Sequence, residues 1–168
     1  MAAAAQHLTP VTLELGGKCP CLVCADALLE VTARRIAWGK FMNAGQTCAA
    51  PDFVLVDRRS RHGFLEALKK SQRQFCGDDP QKSADYGRII NRKQFDRLTG
   101  YLNAGCIVHG GQHHADDLSL ALTIVTELPP GAPVMQEEIF GPILPVFEFD
   151  KLDDALAMLR EPPTPLAL

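Results

Sequence analysis

Cys48 is a thiol set in the segment Gly45-Gln46-Thr47-Cys48, and Glu14 is a carboxylate that closes an alternating run just before Gly16-Gly17-Lys18. Thirty-four residues separate the two, and together they could carry out covalent chemistry at a carbonyl carbon. A cysteine attacks as the thiolate, while a free thiol of pKa ~8.5 is mostly protonated at neutral pH, so the surroundings must favour the anion. The covalent product must then be released by water, which takes a base that works near neutral pH. Glu14 stands after an apolar run, where burial offers a route to such a base. Gly45 permits backbone angles that let the peptide N–H groups after it converge on a developing oxyanion. A third segment, Glu137-Glu138-Ile139-Phe140-Gly141-Pro142, presents carboxylates and a planar aromatic on a Gly-Pro turn.

Each residue also has a plainer meaning on its own. Cys48 could be a small buried hydrophobe, Glu14 a solvated strand-end carboxylate, Glu137-Glu138 a solvated pair at a turn, and Phe140 a core anchor. Gly16-Gly17-Lys18 is not a phosphate loop, because it lacks the earlier glycine and is followed by Cys19 instead of Ser or Thr. Cys19, Cys21 and Cys24, with His7, His113 or His114 as a fourth ligand, invite a zinc site, but on a strand Cys24 faces away from the other two. No metal is expected. A cysteine-protease arrangement around Cys48 would need an imidazole partner, and no histidine carries such a signal.

The three segments in this order resemble the signatures of the aldehyde dehydrogenases, most nearly the class 3 branch. The resemblance runs from about His7-Leu8-Thr9-Pro10 to the C-terminus and corresponds to roughly the middle third of a family member. It implies an NAD(P)+-dependent oxidation of a small-molecule aldehyde to a carboxylic acid through a thioester. Cys48 would be the nucleophile and Glu14 the deacylation base; Glu138 would hold the nicotinamide ribose hydroxyls, and Phe140 would pack beside the ring. It further implies that residues 1–168 form a single partial catalytic domain. The cofactor-binding domain, with an oxyanion asparagine, would lie before residue 1, and the oligomerisation segment of homodimeric relatives after residue 168. Where relatives read Tyr-x-x-Pro-Thr before a strand, this chain has Ser119-Leu120-Ala121-Leu122-Thr123 and loses a rigid proline. The rival expectation is a non-catalytic remnant that acts as an interaction module or persists as an unstable product, because exposed former domain interfaces favour association.

Strands alternating with helices predict an α/β fold, a partly parallel sheet flanked by helices and incomplete at both ends. Val11–Leu15 alternates and predicts a strand stopped by Gly16-Gly17. Apolar Leu28, Leu29, Val31, Ile36, Trp38 and Phe41 predict an amphipathic helix over 26–43 with Asp26 as N-cap. Further strands are expected at 53–56, 107–108, 121–125 and 143–149, and helices at 61–75, 91–103 and 152–160. His113-His114 reads as a solvated loop. At 168 residues, with 46% hydrophobic and 22% charged residues and a net charge of −3, the chain suits one core that buries roughly 70% of its unfolded surface. It has no basic excess to suggest nucleic acid. Six cysteines without framework spacing or a secretory leader suggest reduced thiols and a cytoplasmic location, and no apolar stretch approaches the ~18 residues of a membrane helix.

Overall fold

The computed structural model describes residues 1–160 and 165–168, so most of the proline-rich stretch after Arg160 lies outside the described residues. A short helix α1 (Ala2–Ala5) is followed by an irregular segment, and then β1 (Pro20–Val23), α2 (Leu29–Phe41), β2 (Phe53–Asp57), α3 (Arg61–Cys76) and α4 (Arg92–Gly100). The rest is β3 (Cys106–His109), β4 (His113–His114), β5 (Ser119–Leu120), β6 (Thr123–Thr126), the single turn α5 (Pro133–Gln136), β7 (Ile143–Phe149) and α6 (Leu152–Arg160).

The main sheet runs β1-β2-β7-β6-β3. β1 is parallel to β2, β2 to β7 and β6 to β7, while β3 joins β6 antiparallel as an edge. All five residues of β2 are buried, as expected of a parallel strand covered on both faces. Its alternation sorts them. Val54 and Val56 enter the larger core with Val146, Ile36, Phe41, Phe64 and Leu68, under α2 and α3. Phe53 and Leu55 enter a smaller core with Phe149 and Ala155 of α6. The continuous hydrophobic run of β2 therefore serves two layers at once.

Helix α2 buries Ala33, Ile36, Ala37, Lys40 and Phe41, an i, i+3, i+4, i+7, i+8 stripe. The predicted stripe is thus half right: Ile36 and Phe41 face the sheet, but Leu28 (75%), Val31 (46%) and Trp38 (60%) are exposed. The N-cap is Leu28, not Asp26, and no side chain caps it. Helix α4 is capped as its sequence suggests, with Asn91 Oδ1 accepting from Gln94 N at 3.0 Å.

Two further expectations are corrected. Residues 9–19 form no strand, and Val11, Leu13 and Leu15 are all exposed. The alternation there has no neighbour to pair with among the described residues, and the strand begins instead at Pro20, beyond Gly16-Gly17. His113-His114 is a short strand paired with Ser119-Leu120, though its side chains stay exposed as a loop's would. Among the described residues no helix is long and apolar enough to cross a membrane.

Candidate active site

The three motifs meet at the ends of the parallel strands, each held by the other two. The thiol loop leaves α2 at Phe41 through a tight 3-10 turn, Met42–Gly45. Asn43 and Ala44 lie in the left-handed region (φ 53° and 54°), as does Gly45 (φ 75°). A Cβ at Gly45 would strike the Gly141 carbonyl, so glycine is demanded there by close approach as well as by φ. The Cys48 loop thereby rests on the residue next to Phe140.

Gln46 stiffens this loop from outside. Its Nε2 donates to the carbonyls of Asn43 and Arg88, both at 3.0 Å, and its Oε1 accepts from Ile90 N at 2.9 Å. Cys48 itself is exposed. Its carbonyl faces Cys19 Sγ at 3.6 Å, and among the described residues its N–H donates to no other group.

The second segment approaches from the opposite side. A side chain at Gly16 would collide with the Glu138 carboxylate, so the backbone of the Gly16-Gly17 turn lies directly against it. Partial burial, helped by the nearby Asp52, raises the Glu138 pKa, while the Gly17 N–H, Lys18 and Lys40 pull it back. Lys18 Nζ pairs with Asp52 and donates to Val134 O and Glu137 O, each at 3.0 Å.

The third segment is gripped along its backbone. Asp52 Oδ1 accepts from Ile139 N at 2.8 Å. Arg97 Nη2 donates to Ile139 O at 2.6 Å, and its Nη1 to Glu138 O at 3.3 Å and to the Tyr101 hydroxyl at 2.9 Å. Tyr101 in turn donates to the Glu137 carboxylate. Ile139 is fully buried, which leaves Glu138 and Phe140 flanking an anchored residue. Phe140 has φ 48° and is 41% exposed. An aromatic residue rarely adopts such an angle, and strain of this kind collects at functional sites.

Of the four candidate residues, the structure therefore gathers the loops of Cys48, Glu138 and Phe140 around the Gly45–Gly141 contact. Glu14 sits on the irregular segment and is exposed, so the burial its position suggested is not supplied by the described residues. Among them no hydrogen bond links Glu14 to Cys48. Sequence reasoning missed Lys18, Asp52, Arg97 and Tyr101. Lys18 stood inside a recognised motif, yet nothing in the spacing told that a carboxylate 34 residues away would meet it. The cysteine cluster resolves differently: Cys19 is buried and Cys21 and Cys24 are half-buried, and burial pushes the Cys21 thiol up to about 11. Among the described residues no three His, Cys, Asp or Glu side chains are placed to hold a metal ion.

Comparison with known proteins bears on the family and the fold. Residues 1–166 match the profile of the "Aldehyde dehydrogenase family". The chain is similar over its whole length to the rat "Aldehyde dehydrogenase, dimeric NADP-preferring", at 51% identity and 37% of that protein, and to the human "Aldehyde dehydrogenase family 3 member B1", at 49% and 36%. It thus spans a little over a third of the length of these relatives. Among solved structures, the substrate-bound state of Staphylococcus aureus AldH superposes with a TM-score of 0.92 at 44% identity, over 98% of this chain and 36% of that one. An indole-3-acetaldehyde dehydrogenase complexed with NAD+ does so with a TM-score of 0.80 at 28% identity, over 96% and 35%. From its motifs, its fold and its relatives alike, the chain belongs to the aldehyde dehydrogenase family.

Proposed function

We propose that these residues form the nucleophile-bearing part of an NAD(P)+-dependent aldehyde dehydrogenase. The observation that carries the reading is the interlock itself. The Cys48 loop packs on Gly141, and the Gly16-Gly17 turn packs on Glu138, so the nucleophile segment and the cofactor segment are one assembly.

In the proposed reaction the Cys48 thiolate adds to the aldehyde carbon, forming a C–S bond and an oxyanion that the Cys48 N–H is free to receive. Loss of hydride from that carbon restores the C=O as a thioester. Glu14 then takes a proton from water, the hydroxide adds to the thioester carbon, and the C–S bond breaks to give the carboxylic acid and the thiolate. A bound nicotinamide cofactor supplies the hydride acceptor. The residues present fit its ribose: Glu138 lines a cavity of about 780 Å³ with Gly16, Gly17 and Lys18, while Phe140 and Cys48 lie outside that lining. Glu138 would accept ribose hydroxyls there and Phe140 would limit the ring's freedom.

A second copy of the chain is the proposed partner. Val31, Trp38 and Phe75 line an open groove along α2 and α3 together with Glu30, Arg34 and Arg35. Exposed apolar side chains gathered in this way suit a protein interface, and the rat relative is dimeric by name. A cytoplasmic setting remains part of the proposal, motivated by six unpaired cysteines.

The test is selective alkylation of this chain by a thiol-reactive aldehyde mimic, followed by peptide mass spectrometry. Labelling of Cys48 well ahead of Cys106, the other exposed cysteine, supports an activated nucleophile. Equal rates at the two would sink it. In a full-length relative carrying this segment, Cys48→Ser should abolish turnover while nucleotide binding persists.

A further inference from the structure

Two charged side chains stand where the three motifs meet, and neither has a role in the chemistry just described. We propose that Lys18 and Asp52 act as a positioning pair: together they fix the Glu137–Ile139 backbone, and with it the carboxylate of Glu138, against the turn that follows Glu14. The cofactor role of Glu138 is taken from the function proposed above; the geometry of the pair is independent of it.

An ammonium group has three N–H donors, and all three of Lys18 are used, by the Asp52 carboxylate, Val134 O and Glu137 O. Asp52 divides its carboxylate between Lys18 and the Ile139 N–H, and its own N–H donates to Cys19 O at 2.6 Å. The peptide carbonyl before Glu138 and the peptide N–H after it are thus held by the two members of one ion pair. Both are nearly dry, with side-chain exposures of 10% for Lys18 and 3% for Asp52.

A buried pair of this kind contributes little net stability compared with apolar residues of the same volume. What it provides is geometry, because charge-assisted hydrogen bonds are short and directional. The pair also links the motifs in sequence. Lys18 follows the Gly16-Gly17 turn, Asp52 comes four residues after Cys48, and both terminate on the cofactor segment. A shift in any one of the three segments would therefore be felt at Glu138.

The experiment compares hydrogen exchange in the full 168-residue chain, Lys18→Met, and the double variant Lys18→Met/Asp52→Asn, alongside thermal unfolding. The double variant removes both charges yet keeps an acceptor for Ile139 N–H, so its unfolding temperature should recover toward that of the parent. Exchange across residues 134–141 should rise about tenfold or more in both variants, the scale of a lost charge-assisted hydrogen bond, while 53–57 and 143–149 stay protected. Recovery of loop protection together with the unfolding temperature would overturn the proposal, as would a uniform rise over all segments. Binding of nicotinamide mononucleotide, followed by ligand-observed NMR, should weaken about tenfold in the double variant. A selective rise in loop exchange in a chain that binds no nucleotide would uphold the positioning role and remove the cofactor reading of Glu138 instead.

Discussion

The cofactor segment around Ile139 and the segment that carries Glu14 are neighbours in space and opposites in construction. Ile139 is fully buried, its N–H is held by Asp52 and its carbonyl by Arg97. Glu14 lies on an irregular run whose apolar residues Val11, Leu13 and Leu15 face solvent. The first region is over-determined by contacts within these residues, while the second is tied down, among the described residues, from Gly16 onward, where the backbone meets Glu138. The difference teaches that segments proposed to act together need not be built with uniform rigidity. The loops that carry Cys48 and Glu138 are placed by a shared core, and Glu14, the proposed base, is carried at its edge.

Four substitutions would break or sharpen that contrast. Asp52→Ala strips the counter-ion from a nearly buried Lys18 and orphans Ile139 N–H, so unfolding free energy should fall by about 3–5 kcal/mol, measured by urea denaturation. A loss under ~1 kcal/mol would show that the anchored region is looser than its hydrogen bonds imply.

Lys40 sharpens the same region from behind. It is completely buried, its Nζ has no hydrogen-bond partner among the described residues, and burial above all lowers its pKa from 10.5 to about 8, with Lys18 adding to the effect and Asp52, Glu138 and Cys21 opposing it. Between about pH 8 and 9 the unfolded chain still binds a Lys40 proton that the folded chain has released, so stability should rise with pH there; above pH 9 the Cys21 thiol, held protonated up to about 11 in the fold, works in the opposite direction. Below about pH 8 the charged lysine is a standing cost. Lys40→Met should therefore raise stability at pH 7 by about 3 kcal/mol and flatten the alkaline rise. A pH profile unchanged by the substitution would mean that the ammonium is accommodated after all.

Arg97→Ala removes the guanidinium that donates to Ile139 O and Glu138 O and leaves both carbonyls without that donor. The expected loss is about 2 kcal/mol, with faster amide exchange confined to 137–141. Glu14→Gln is the opposite pole. Unfolding should move by less than ~0.5 kcal/mol, and Cys48 alkylation should be unaffected because no hydrogen bond joins the two. A larger effect on either would show that the exposed segment is coupled to the core in ways the contacts do not reveal.

Much of the fold was legible because short apolar runs and helical stripes are local signals. β2 at Phe53–Asp57, β7 at Ile143–Phe149, α3 and α6 lie within a residue or so of where the pattern predicts them. The predicted strand at 11–15 is absent because alternation states only that a segment could pair; it does not provide the neighbour. Trp38 and Val31 were read as core for a related reason. Helical periodicity identifies an apolar face, but it does not say whether this chain or another one covers it.

Residue types and order by themselves determined the family, the α/β class, and the identity of Cys48, Glu14, Glu138 and Phe140 as candidates, because those properties reside in short motifs with unusual chemical demands. Only the tertiary structure decided that Gly45 must be small to let Gly141 pass, that Lys18 would find Asp52, and that Glu14 would stay exposed. The physical reason is range. Backbone preference and hydrophobic period act over a few residues, whereas a close approach or a buried ion pair is fixed by where the whole sheet places segments 34 or more residues apart.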